Sequence, residues 1–117
     1  MSFYIVAPPL WWYSGAMEKR RPTYDLDAIK LSMGSVETLA ITTSALRDAT
    51  ALGLDRGGVA QAINSIERGM FYKSMTTFAD HRLWQDVYHV PSQGWTLYIK
   101  FQADVVTEFS VVSFKEK

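Results

Sequence analysis

The feature that most constrains this chain is a change of hydrophobic period at Gly69. Before it, apolar residues recur at helical spacing; after it, they alternate with a period of two. The spacing predicts a helix over Asp25–Met33, with Leu26, Ile29 and Met33 on one face, Asp25 as N-cap and Gly34 as the stop. A second helix is expected over Thr43–Leu52, capped by Thr42 or Thr43, with Leu46, Ala49 and Leu52 aligned and Gly53 ending it. Asp55 opens a third, in which Val59, Ala62, Ile63 and Ile66 share a face and which Gly69 closes. Four strands rich in aromatic and β-branched residues follow: Met70–Thr77, Leu83–Val90, Trp95–Gln102 and Val106–Lys115. Pro91-Ser92-Gln93-Gly94 is a turn signal between the second and third of these. The third strand alternates most clearly, with Trp95, Leu97, Ile99 and Phe101 to one side and Thr96, Tyr98, Lys100 and Gln102 to the other. Helices first and consecutive strands afterwards imply an α+β domain, its N-terminal helices packed on one face of a mainly antiparallel four-stranded sheet. The opposite face is then polar and open to function.

A chain of 117 residues is the size of one domain and needs neither disulfides nor a structural metal to fold. It contains no cysteine, which excludes thiol catalysis, Cys-based zinc sites and disulfide frameworks, and is compatible with the cytoplasm, the expected location. Lys plus Arg and Asp plus Glu balance at 12 each, so no global positive field favours DNA coating, and direct DNA binding is not expected. A local basic cleft remains open. Residues 1–16 carry no charge and hold Phe3, Tyr4, Trp11, Trp12 and Tyr13 around Pro8-Pro9. This run is shorter than the roughly 20 residues that span a bilayer. It also lacks the basic start of a secretory signal, so no membrane association is expected. We read it as an aromatic N-terminal extension, with Met17-Glu18-Lys19-Arg20 looking like a second protein start and residues 17–117 forming the single domain.

General catalytic motifs are missing: there is no phosphate-binding Gly-rich loop, no zincin helix and no G-x-S-x-G elbow. His81 and His89 lie eight residues apart on different elements and do not read as a pair. Asp80 and Asp86 have no further carboxylate at ligand spacing, so neither a metal nor another cofactor is expected. What remains is a polar set on the strands: Tyr72, Lys73, Met75, Gln85, Tyr98, Lys100 and Lys115. Cations interleaved with rings are what single-stranded RNA recognition uses, the cations on phosphates and the rings on bases. The same lysines could instead guard a sheet edge or solvate the sheet.

The run Phe71-Tyr72-Lys73-Ser74-Met75-Thr76-Thr77-Phe78-Ala79-Asp80-His81, followed by Trp84-Gln85-Asp86-Val87-Tyr88, resembles the central signature of the motility quorum-sensing regulator (MqsR) toxin family. Met17-Glu18-Lys19-Arg20, the Leu-Gly-Leu-Asp within Ala49–Asp55 and the terminal Val112-Ser113-Phe114-Lys115-Glu116-Lys117 are similar to that family too. The resemblance runs from Met17 to the end, with a small length difference around Ala103–Glu108. It implies a RelE-like fold and the toxin of a type II toxin–antitoxin system. It further implies ribosome-independent cleavage of mRNA at GC-containing, GCU-like sites, which inhibits translation. The implied partner is an MqsA-like antitoxin with a zinc-binding domain and a DNA-binding helix-turn-helix domain. The resemblance carries the family's proposed catalytic positions to Lys73, Gln85 and Tyr98, with Lys115 as a further candidate and Met75 beside them.

A metal-independent endoribonuclease directs a ribose 2′-hydroxyl onto the adjacent phosphate, so one group accepts a proton, one donates a proton and others stabilise phosphoryl charge. Lys73 suits the phosphate, Gln85 a positioning role, and Tyr98 either proton donation or acceptance, with Lys100 and Lys115 as neighbouring cations. Tyr72 and Met75 fit RNA contact, and His81 is a second choice of base. Two other functions are compatible with the residues. One is a non-catalytic RNA- or protein-binding module acting with a DNA-binding partner; the other is a purely structural interaction domain.

Overall fold

The computed structural model describes residues 17–77, 79–103 and 109–117. The aromatic extension 1–16, Phe78 of the signature and the expected strand start at Val106 lie outside the described residues, as does most of the length difference near Ala103–Glu108. The described chain is α+β. It runs β1 (Glu18–Lys19), α1 (Leu26–Met33), α2 (Thr43–Ala51), α3 (Arg56–Asn64), a 3₁₀ turn (Arg68–Met70), β2 (Phe71–Thr76), β3 (Trp84–Ser92), β4 (Trp95–Ala103) and β5 (Phe109–Glu116).

The helices start where short oxygen-bearing side chains precede the apolar stripe. Thr42 accepts from the Ala45 N–H and Asp55 from the Gly58 N–H, each satisfying a backbone donor that the first turn leaves unpaired. Asp25 stands at the N-cap of α1 but caps through its backbone carbonyl alone; its side chain makes no cap bond. The third helix stops at Asn64 rather than Gly69, because the Ser65 hydroxyl turns back onto the Ala62 carbonyl and Gly69 enters the 3₁₀ turn. Leu26, Ile29, Met33, Ala49, Val59, Ala62, Ile63 and Ile66 are buried as the periodicity requires. They share one core with Tyr88, Val90, Leu97, Ile99, Phe101, Phe109, Val111 and Phe114 from the sheet. In α2 the buried pair is Ala45 and Ala49; Leu52 is partly buried against the core.

The sheet is an antiparallel meander of order β1-β2-β3-β4-β5. It has five strands, not four. The additional strand, Glu18–Lys19, spans two residues, too few to show an alternation in sequence, and pairs with Ser74 and Met75. Thr76 donates its N–H to the Met17 carbonyl, and the Met17 N–H returns a bond to the Thr76 hydroxyl. The β3–β4 turn is tighter than the four-residue signal implied. Ser92 pairs with Trp95, leaving Gln93 and Gly94 with φ of 48° and 85°, the two positive values a type I′ hairpin requires. At the far edge, the Val111 N–H donates to Ala40 and its carbonyl accepts from Thr42, so a loop segment covers part of β5.

A buried carboxylate ties the N-terminal segment to the sheet. Asp86, fully buried on β3, accepts from the Thr23 N–H at 2.9 and 3.1 Å, the Tyr24 N–H at 2.9 Å and the Ser74 hydroxyl at 2.6 Å. Tyr24 reaches on to the Trp84 carbonyl at 2.7 Å and meets Phe109 edge-on. These bonds fix the chain that leads from β1 into α1. Asp86→Ala should lower stability by about 2–4 kcal/mol in urea unfolding, since three donors lose an ionic acceptor; a loss under about 1 kcal/mol would contradict the clamp.

Candidate active site

Residues directly opposed in an antiparallel sheet share a face, so the register alone assembles the site. On the face turned away from the core, one transverse row reads Glu18, Met75, Gln85, Gln102 and Ser110 across β1 to β5. The next reads Lys73, Val87, Lys100 and Ser113, and the third His89, Tyr98 and Lys115. Neighbours within a row stand about 5 Å apart at Cβ, and successive rows about 7 Å apart. Long side chains on this grid therefore meet. A register shift between Phe71 and Lys73 inserts Tyr72 as an extra residue, and its ring stacks on His89 with centroids 4.2 Å apart.

The sequence-derived set thus gathers on one surface: Tyr72, Lys73, Met75, Gln85, Tyr98, Lys100 and Lys115 all belong to this face. His81 does not. It is exposed in the turn between β2 and β3, whose Thr77 and Asp80 bond each other. Two titratable residues of the face were not singled out from sequence. Glu18 comes from a strand too short to read, and His89 was seen only as an unlikely partner for His81. The signal that could have found His89 is its place two residues beyond Val87 and four beyond Gln85 in an alternating strand.

Among the described residues, Lys73, Lys100 and Lys115 against Glu18 make this face basic on a chain with no net charge. Lys73 forms an ion pair with Glu18. The Lys73 ammonium lies 5.4 Å from the Tyr72 ring centre, while those of Lys100 and Lys115 lie 5.7 and 5.5 Å from that of Tyr98. Gln85 donates its amide to Gln102 at 2.7 Å, which fixes its orientation while leaving amide groups for another contact. Val87 is fully buried although it lies on the face turned away from the core, flanked in its row by Lys73 and Lys100.

The titration behaviour follows from this crowding. Burial pushes the Tyr98 phenol above its ordinary value, with Lys73 opposing and Tyr72 and Glu18 adding to the rise. Burial, then the charges of Lys115 and Lys73, lower Lys100. Burial, then Lys117 and Lys73, lower His89. At neutral pH the face therefore presents a protonated phenol and a mainly neutral imidazole. Among the described residues, no group of three or more His, Asp or Glu could hold a metal ion. A concavity of about 260 Å³ lined by Tyr24, Arg68, Phe71 and Tyr88 shares no residue with this face.

A family profile described as "Motility quorum-sensing regulator, toxin of MqsA" matches residues 21–116. The chain belongs to the MqsR toxin family. It is also 43% identical over 103 residues to the mRNA interferase toxin MqsR of Escherichia coli K12, covering 86% of this chain and all of that protein.

Lys100 should act against stability. Its folded-state pKa is depressed, so folding disfavours the ammonium; the cost is full below the lowered value and fades as pH rises through it toward 10.5. Lys100→Met should raise the melting temperature at pH 7, with a smaller gain at pH 10.5. An equal gain at both pH values would refute the electrostatic origin.

Proposed function

We propose that this chain is the toxin of a type II toxin–antitoxin pair and cuts mRNA as a ribosome-independent, metal-independent endoribonuclease at GC-containing, GCU-like sites, inhibiting translation. The observation that carries this reading is the convergence of Lys73, Gln85 and Tyr98, from three different strands, on one basic and aromatic face. The printed name of the E. coli relative, mRNA interferase toxin, supports the same activity. In this reading residues 17–117 are the toxin domain, RelE-like, with helices backing one face of the sheet and RNA on the other. Residues 1–16 are an extension to it.

Single-stranded RNA fits such a face because every phosphate needs a cation and every unpaired base can stack on a ring. Lys73 receives the scissile phosphate, where its stabilisation grows as charge accumulates on the phosphoryl oxygens. The phosphate takes the place of the Glu18 carboxylate on that ammonium. Gln85 orients phosphate or base through hydrogen bonds. Tyr98, with its raised pKa, is a phenol able to donate to a leaving oxygen. Tyr72, Met75, Lys100 and Lys115 support the flanking nucleotides. Metal independence is supported by the carboxylate supply: among the described residues the face carries Glu18 alone, already paired with Lys73. The antitoxin partner is of the MqsA kind, as the family's description states for its members, with the zinc-binding and helix-turn-helix domains that the resemblance implies. No helix among the described residues is long and apolar enough to cross a membrane.

Purified protein should cleave a GCU-containing RNA in the presence of chelator, leaving a 2′,3′-cyclic phosphate and a 5′-hydroxyl. Lys73→Ala and Tyr98→Phe should each lower kcat/KM by about 10²-fold or more, and Gln85→Ala by about 10-fold. Binding without cleavage would make the chain a non-catalytic RNA module. Unchanged rates in all three variants would remove this face as the active site.

A further inference from the structure

The reading above leaves one task unassigned, the removal of the 2′-hydroxyl proton. We propose that His89 is the general base of this site, taking that proton while Tyr98 protonates the departing 5′-oxygen. The inference rests on the nuclease reading and assigns its missing step.

The geometry comes from the third row of the face. His89 is opposed to Tyr98 on the neighbouring strand, their ring centres 5.9 Å apart, and Tyr98 is opposed to Lys115. In the adjacent row Val87 lies between Lys73 and Lys100, so an anion held by these lysines lies beside both rings. A base and an acid separated by a few ångströms across one phosphate is the arrangement that in-line transfer needs: one group beside the attacking oxygen, the other beside the leaving one. Tyr72 stacks on His89 at 4.2 Å with 22° between the planes. That contact fixes the imidazole plane while its ring nitrogens stay available at the edge. His89 is half-buried, so it is reachable by substrate yet partly shielded from water.

Among the described residues, the charged neighbours come from several elements, beginning with Arg20, whose guanidinium lies 5.9 Å from the Tyr72 ring centre. From β1 comes Glu18, paired with Lys73 of β2. Lys100 comes from β4, Lys115 from β5, and Lys117 follows directly after it. Burial, then Lys117 and Lys73, disfavour a positive charge on His89, and this favours the neutral imidazole near neutral pH.

The step balances. The 2′-oxygen gives its proton to a His89 nitrogen and bonds to phosphorus. The bond from phosphorus to the 5′-oxygen breaks, and that oxygen takes the phenolic proton of Tyr98. Imidazolium and phenolate remain, and transfer of one proton from the first to the second restores the enzyme. The products are a 2′,3′-cyclic phosphate and a 5′-hydroxyl, with no net proton change.

The test uses the full chain with a GCU-containing RNA and an uncleavable copy carrying 2′-deoxyribose at the scissile nucleotide. For the unmodified protein, kcat/KM should rise with pH to a midpoint below 6.5, the ordinary histidine value, and then level off. A rate that is flat from pH 5 to 8 overturns the proposal without any substitution. His89→Gln should lose about 10²-fold or more in kcat and the rising limb, keep its affinity for the deoxy copy, and melt as the parent does. His89→Gly should regain cleavage when imidazole is added. If His89→Gln cuts at the parental rate with the parental pH profile, or loses affinity for the deoxy copy in step with its activity, His89 is not the base. If the unmodified protein cuts no RNA, the nuclease reading itself fails.

Discussion

Asp86 is the contact on which the arrangement of the rest depends. A carboxylate with no exposure to water is tolerated only when its charge is met by donors, and here those donors come from two places distant in sequence. Ser74 lies on the adjacent strand, whereas Thr23 and Tyr24 belong to the segment before α1. The cost of burying the charge thereby selects one path for residues 17–25, and with it the pairing of β1 onto β2. Glu18 reaches Lys73 because that path is fixed. A structural carboxylate on the covered side of the sheet thus sets the charge environment on the open side.

The two faces of the sheet obey opposite rules. On the core side, Leu97, Ile99, Phe101, Val111 and Phe114 are buried in one cluster with Ile29, Met33 and Ile63 and supply hydrophobic stabilisation. On the open side, Lys73, Lys100 and Lys115 are held near one another and near rings. Burial, then the charges of Lys115 and Lys73, disfavour the ammonium of Lys100 there. Such a conflict between local comfort and global fold is common where a surface must meet an anion. On the proposed reading, an arriving phosphate would supply counter-charge to this crowded face.

Much of the architecture was legible in the chain. The period change at Gly69 located both halves, and the alternation in Trp95–Gln102 correctly divided Leu97, Ile99 and Phe101 from Tyr98 and Lys100. Both are local signals. What escaped were features that exist only through long-range pairing. Glu18–Lys19 has no pattern of its own and is a strand because Thr76 and Met17 bond across 59 residues. Asp86 in sequence is an unpartnered acid among aromatics; its backbone donors, Thr23 and Tyr24, lie 63 and 62 residues away. His89 became visible only when the register set it opposite Tyr98. His81 carried equal chemical promise in sequence and lies in a turn instead.

The bulge at Tyr72 bears on how this surface can vary. In an unbroken strand Phe71 and Lys73 would point the same way, one of them wrongly, because Phe71 packs against the core and Lys73 belongs to the open side. The extra residue resolves that clash of phase and lends its own ring to His89. Shortening the strand by one position would drive an aromatic into water or an ammonium into the interior. Variation across this segment is therefore confined to exchanging side chains at constant length, while insertions and deletions must fall elsewhere, beyond the ends of β2.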